Sequence, residues 1–447
     1  MAAVVASLGT ALVLAVGSGS AEAYRYVPDP TFGTGGVLNL LAGNGAGGVL
    51  REAREVKPGP GGTVYVLYRE LPGPEMYECE TKRYLARYLP SGALDPGFGS
   101  GGVVEVVAPL GCHYPALAVD EQFRPLLTWT SVGSSREPSS TTAITRFTSA
   151  GALDPGFGSG GVAQLAIPCP AGNSVRVHAD AGGRLVLDFG CRADEYAGGE
   201  PKAPFQTYMA RLQPNGALDT GFGGAGFVPL PLEAGWWPPF VWAVEPDGAA
   251  ILAQATPYVE GVPQRMRLLR VRPDGILAYR YQARVEQSLR RVAVLGAPRI
   301  PEEVTDSVPR PGGGLVISGR ADRGGWVMAL RHDGSLDREF SGDGYRRFAT
   351  PIRYIAADRR SGLFVLGAEY RRLTFYRLLA DGDRDRSVGG PRGQQVGDPS
   401  TGLLADLVSV SRGRPLLYFK NLGSCSGPQD CAEPAELRRF RLPPKKR

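Results

Sequence analysis

Leu94-Asp95-Pro96-Gly97-Phe98-Gly99-Ser100-Gly101-Gly102-Val103 recurs almost unchanged as Leu153-Asp154-Pro155-Gly156-Phe157-Gly158-Ser159-Gly160-Gly161-Val162. Looser copies are Leu218-Asp219-Thr220-Gly221-Phe222-Gly223 and Leu336-Asp337-Arg338-Glu339-Phe340. Another stands near the N-terminus as Asp29-Pro30-Thr31-Phe32-Gly33-Thr34-Gly35-Gly36-Val37. Successive aspartates lie 66, 59, 65 and 118 residues apart, the last interval being twice 59. In that double interval the copy has decayed to Gly275-Ile276-Leu277-Ala278-Tyr279-Arg280-Tyr281, with its turn glycines lost; a weaker one is Asp381-Gly382-Asp383-Arg384-Asp385. Self-similarity at a fixed period is the mark of a repeat architecture.

Each copy follows a short strand signal and a turn, as Tyr84–Tyr88 precedes Ser91-Gly92. The same strand recurs at Ile144–Phe147, Met209–Leu212, Leu268–Val271, Val327–Leu330, Phe375–Leu378 and Leu437–Phe440. Ahead of it lies a hairpin signal, two apolar runs around a Gly- or Asp-rich turn, as in Val175–Val177, Ala181-Gly182-Gly183, Leu185–Phe189. With the run after the motif (Val103–Val107, Val162–Ile167), each unit of about 60 residues holds four strands. Evenly spaced short strands with a Gly/aromatic signature per unit predict a β-propeller. The seventh unit lacks a fourth strand, while Val37–Leu41 at the other end is a strand without a blade. Pairing it with Leu437–Phe440 closes the ring and removes an open sheet edge. The expected fold is therefore all-β, a seven-bladed β-propeller of four-stranded blades spanning 24–442 as one domain. The blades fall near 42–108, 109–167, 168–232, 233–295, 296–350, 351–398 and 399–442, the last completed by 24–41, with a basic tail at 443–447.

Composition agrees. With 62 Gly and 38 Pro in 447 residues, coiled coils and helical bundles are excluded, and the absence of a strict glycine period excludes collagen. Lys and Arg total 50 against 44 Asp and Glu, a net charge of +6 spread singly, which is no nucleic-acid footprint. Ala2–Val16 is apolar and ends in Ala21-Glu22-Ala23, an A-x-A pattern, so residues 1–23 read as a signal peptide cleaved after Ala23. No Lys or Arg precedes that run, which leaves an upstream start and an uncleaved N-terminal helix as alternatives. No later stretch is apolar enough to span a bilayer. The expected compartment is periplasmic or extracellular. Six cysteines in an exported chain predict disulfides.

These motifs resemble the delta-60 repeat family of predicted β-propeller repeats. The resemblance runs through residues 27–442 and is most specific at 94–102 and 153–161. It implies an exported bacterial repeat protein and brings no catalytic residues to transfer.

Asp29, Asp95, Asp154, Asp219 and Asp337 each precede a turn. One carboxylate per copy does not supply the six to eight oxygens of calcium, so they read as turn caps. Phe32, Phe98, Phe157, Phe222 and Phe340 read as packing between blades. His113, His178 and His332 are scattered, and neither H-E-x-x-H nor G-x-S-x-G occurs. No catalytic residue, metal or cofactor is expected. In a propeller, the loops joining second to third strands share one face with the crossovers between blades. All six cysteines map there, which suggests the pairs Cys79–Cys112, Cys169–Cys191 and Cys425–Cys431. Tyr114, Tyr196, Trp236, Trp237 and Tyr258 map there too, a candidate surface for a protein or glycan of the envelope or extracellular space. The expected protein is a monomeric, non-catalytic binding scaffold. The alternatives are a hydrolase or lyase in the propeller mouth, or a purely structural envelope component with Trp236 and Trp237 plugging the gap between blades.

Overall fold

Short apolar runs cut by Gly-rich turns form seven antiparallel sheets arranged as the blades of a propeller. The computed structural model describes residues 27–40, 42–43, 50–70, 82–108, 115–130, 141–167, 175–191, 196–197, 200–201, 206–231, 233, 235–256, 266–294, 303–310, 312–321, 324–358, 362–369, 372–388, 393–395, 404–411, 414–420 and 435–441. Running outward from the channel, blade one is Leu50–Pro58, Val64–Glu70, Arg83–Tyr88 and Val103–Val106, with Ala42–Gly43 added at its inner edge. Blade two is Ala116–Val119, Pro125–Thr130, Thr141–Arg146 and Val162–Ala166. Blade three is Arg176–Ala179, Leu185–Cys191, Gln206–Leu212 and Phe227–Pro229. Among the described residues blade four has three strands, Phe240–Val244, Ala250–Ala255 and Met266–Val271. Blade five is Glu303–Pro309, Leu315–Ala321, Gly324–Leu330 and Tyr345–Phe348; blade six is Ile352–Asp358, Gly362–Glu369, Arg372–Leu379 and Gln394–Gln395.

Blade seven contributes Leu404–Ser411, Arg414–Lys420 and Ala435–Arg441, and the N-terminal segment completes it. Val37, Leu38 and Asn39 pair with Arg438, Leu437 and Glu436, and Val27 and Pro28 with Arg441 and Phe440. The ring closes through these strand pairs.

Packing follows from the flat, two-sided burial of each sheet. The seven buried apolar clusters each straddle one pair of neighbouring blades. Between blades one and two, for example, Leu67, Leu85 and Phe98 meet Leu117, Leu127 and Trp129. Five innermost strand pairs contain a register shift, the first between Ala53 and Glu55. Such bulges add local twist, which lets the inner strands wrap the channel.

Blade four departs from the expected four strands, and the reason is local. Ala278 stands where other copies have Asp, and Gln282 where they have the first glycine after the aromatic. Without a residue that adopts positive φ readily, the chain cannot turn back as a strand. The Gly- and Pro-free run that follows instead forms helix α1, Tyr279–Val294. Tyr281, Val285 and Leu289 of α1 are buried against blades four and five, filling the space of the missing strand.

Candidate functional site

The repeated motif is a latch between blades. In each copy one aspartate oxygen accepts the backbone N–H two residues on: Thr31 at 3.1 Å, Gly97 and Gly156 at 3.0 Å, Gly221 and Glu339 at 3.3 Å. The other oxygen accepts Nε–H from an arginine eight residues earlier, Arg87 to Asp95 at 2.7 Å, Arg146 to Asp154 at 2.8 Å and Arg211 to Asp219 at 2.7 Å. The same guanidinium lies over the motif aromatic, 4.8 Å from Phe98, 4.3 Å from Phe157 and 4.6 Å from Phe222. Its far nitrogen donates to a turn carbonyl of the next blade, Ser149, Pro214 or Pro273. Alongside, the N–H groups of Gly99, Gly158 and Gly223 donate to Ala150, Asn215 and Asp274. Phe32, Phe98, Phe157, Phe222 and Phe340 are buried in the interfaces.

The arginines are the functional residues that sequence reading missed, although their constant spacing was there to find. Where the pattern decays, other groups take over. Arg270, with no aspartate available at Ala278, meets Glu245 at 2.6 Å and Asp247 at 3.0 Å. Asp337, with Ala329 where an arginine would sit, is held by Arg310 and Arg331. In blade six the latch aspartate is Asp385, 3.5 Å from Arg377, and Val388 takes the aromatic place.

Burial by itself would raise the carboxyl pKa of Asp29, Asp154 and Asp337, but their hydrogen bonds and arginines outweigh it, and all three lie below the ordinary value of 3.8. A depressed folded-state pKa stabilises the fold above the unfolded value and is lost as pH falls through the folded one. Melting temperature is therefore expected to hold down to about pH 4 and then drop steeply. A melt series from pH 6 to 2 checks this; a profile that stays flat from pH 4 down to pH 2 contradicts the latch as a charged device.

On the loop-bearing face the structure separates the two tryptophans. Trp236 is half-buried beneath the Arg267 guanidinium, 4.5 Å from its ring, and Arg267 also meets Glu233 at 2.7 Å. The Trp237 side chain is 57% exposed, and its backbone N–H donates to the Ala255 carbonyl at 2.7 Å. Tyr114 and Tyr258 lie outside the described residues, and Tyr196 is described only as backbone in a short ribbon with residues 200–201. On the same face a cleft of about 160 Å³ between blades one and two is lined by Arg54, Glu55, Tyr68, Arg69, Arg83 and Pro115. Burial raises the Glu55 carboxyl pKa, against the opposing pull of Lys57 and the Leu117 N–H. Of the histidines, His332 is exposed, His113 lies outside the described residues, and His178 Nε2 sits 3.7 Å from Asp188 Oδ1.

The expected disulfide framework needs correction. Among the described residues no two cysteines stand at disulfide distance. Cys79, Cys112, Cys169, Cys425 and Cys431 lie outside those residues, as does the side chain of Cys191. A disulfide requires Cα atoms within about 7 Å, a condition that an even count does not test. Strand pairing and arginine latches hold the described ring.

Comparison with known proteins adds little beyond the fold. A family model described as a domain of unknown function (DUF5122) beta-propeller matches residues 196–222, which include Asp219 and Phe222. No curated protein matches the chain. Among solved structures, prolyl oligopeptidase B from Galerina marginata is similar at 10% identity and a TM-score of 0.45, over 83% of this chain and 47% of that one. The acylaminoacyl peptidase of Pyrococcus horikoshii is similar at 8% identity and a TM-score of 0.46, over 88% and 51%. A protein of unknown function from Dyadobacter fermentans is similar at 9% identity and a TM-score of 0.40, over 91% and 100%. The chain spans about half the length of the peptidases it matches. Among the described residues, no helix is long and apolar enough to cross a membrane.

Proposed function

We propose that this protein is an exported, non-catalytic binding propeller whose loop-bearing face recognises a protein or glycan of the envelope or extracellular space. The observation that carries the reading is Trp237, a large aromatic 57% exposed beside a partner ring clamped by Arg267. Solvent does not favour so exposed an indole, whereas a rigidly held aromatic is what binding surfaces use as an anchor. Replacing Trp237 with Ala is expected to weaken binding on a glycan array or to a purified envelope component about thirtyfold, with an unchanged melting temperature. Undiminished binding by the variant sinks the aromatic site.

A second reading, a hydrolase or lyase, rests on the His178–Asp188 approach of 3.7 Å. It requires that hydrolytic turnover be detected and that His178→Ala abolish it.

A further inference from the structure

Buried polar atoms in native proteins almost always have hydrogen-bond partners, so a group of them without partners is informative. On the facing sides of blades three and four lie five such atoms: Nε2 of His178, Oδ1 of Asp188, Oγ1 of Thr207, Nε2 of Gln254 and Nη2 of Arg267. Their common location follows from strand geometry. Val186, Met209, Leu252 and Leu269 form the apolar centre of this interface. Side chains alternate along a strand, so residues two apart share a face. Asp188, Thr207, Gln254 and Arg267 each lie two positions from one of those four, always toward the loops joining second and third strands. Asp188 pairs directly with Met209, Thr207 stands one row nearer the loop-bearing face opposite Gly190, and Gln254 pairs with Arg267, so together they form a polar layer on the loop side of the apolar centre. All four are nine-tenths or more buried, at 4%, 4%, 0% and 7% exposure.

The layer is positioned rather than loose. Arg267 donates through Nε to Gln254 Oε1 at 2.7 Å and through Nη1 to Glu233 Oε2 at 2.7 Å, which aims Nη2 inward. His178 and Asp188 approach to 3.7 Å, beyond hydrogen-bond reach. Arg176 spans the same interface, over Phe240 at 4.5 Å. The fold does not demand polarity at this level: the equivalent positions between blades four and five are Ala255 and Met266.

Two features define the ligand that would satisfy these atoms. The first is charge: Asp188 and Glu233 balance Arg176 and Arg267, so the site favours an uncharged molecule. The second is mixed polarity, since Arg267 and Gln254 donate, Asp188 accepts, and Thr207 and His178 do either. Hydroxyl groups, each both donor and acceptor, match that set. The crossover carrying Trp236 and Trp237 approaches the layer from the loop side, with Trp236 stacked on Arg267.

We propose that this layer binds the hydroxyl-bearing end of a neutral glycan, with the Trp236-Trp237 crossover as its cover. The proposal rests on the loop-bearing face being the binding surface and names the ligand class for it. The test titrates purified protein with free neutral oligosaccharides (hexoses and N-acetylhexosamines) and with uronic-acid oligosaccharides, read by tryptophan fluorescence and calorimetry. Neutral sugars are expected to bind, and Thr207→Val and Asp188→Asn each to weaken them five- to twentyfold, with melting temperature unchanged for Thr207→Val. Binding unchanged in Thr207→Val but lost in Trp237→Ala overturns the layer as the site while the surface reading stands. A parent protein that binds no neutral sugar, or only the acidic ones, overturns the proposal outright. Thr207→Val raising the melting temperature with no sugar bound by either form assigns the layer to internal water alone. Should Asp188→Asn not fold, the isosteric Thr207→Val decides.

Discussion

Gly158→Ala is expected to lower the free energy of unfolding by about 3 kcal/mol, and Gly160→Ala, two residues away, by only about 1 kcal/mol. Both glycines occupy the left-handed region, at φ +57° and +60°, so both variants carry the same intrinsic backbone cost. They differ in space. A Cβ on Gly158 would lie 2.1 Å from the Val162 carbonyl oxygen, whereas a Cβ on Gly160 meets nothing within 4 Å. The Val162 carbonyl has little freedom to retreat, because it accepts the Ser159 N–H at 2.8 Å. Shifting Gly158 instead strains its own 2.8 Å bond to the Asn215 carbonyl, the contact that ties blade two to blade three. Urea denaturation of the two variants measures the difference directly. Equal losses mean that the turn has room, and that the motif glycines answer only to φ.

The same motif shows what the sequence could disclose. Ring size, strand number per unit and closure by the N-terminal strand were all legible, because each is written in local turn chemistry repeated at one period. The helix in blade four was half legible: loss of the glycines around Ala278 marked a decayed copy, but not that the Gly-free run beyond it would become α1. The arginine latch was visible as a constant spacing and was overlooked, since a lone arginine near a strand end reads as a solvated edge. Across the blade interface, inference from sequence stops for a physical reason. Leu185–Phe189 reads as an apolar run beside a Gly-rich turn, and nothing local says that Asp188 turns toward the neighbouring blade. The tryptophan pair is similar. Plug and platform were both open from sequence; in the structure Trp236 lies half-buried under Arg267, whereas Trp237 is exposed.

Asp29→Ala is expected to cost about 3–5 kcal/mol, the range for removing one partner from a buried ion pair. Asp29 is fully buried at the closing seam, where it accepts from the Thr31 N–H and hydroxyl and faces Arg414 at 3.2 Å and Arg441 at 4.0 Å. Arg439 lies behind it, over the Phe32 ring at 4.5 Å and donating to the Pro90 carbonyl of blade one. Burial pulls the Arg439 pKa down to about 10, with Asp29 opposing that fall and Arg414 adding to it. Without Asp29, the three guanidiniums face one another with no carboxylate from the first motif to balance them. Asp95→Ala removes the same group from inside the ring, where Arg87 belongs to a continuous blade; the expected cost is about 2–3 kcal/mol. The two variants should also differ in how they fail. The seam is held by strand pairs of only two and three residues, Val27–Pro28 and Val37–Asn39, so it opens before the blades do. Limited proteolysis of Asp29→Ala should therefore release N-terminal peptides while the remainder stays folded, and that of Asp95→Ala should not. Identical cleavage patterns in both would mean that the seam is no weaker than any internal interface, and that closure depends on apolar packing around Phe32 rather than on charge.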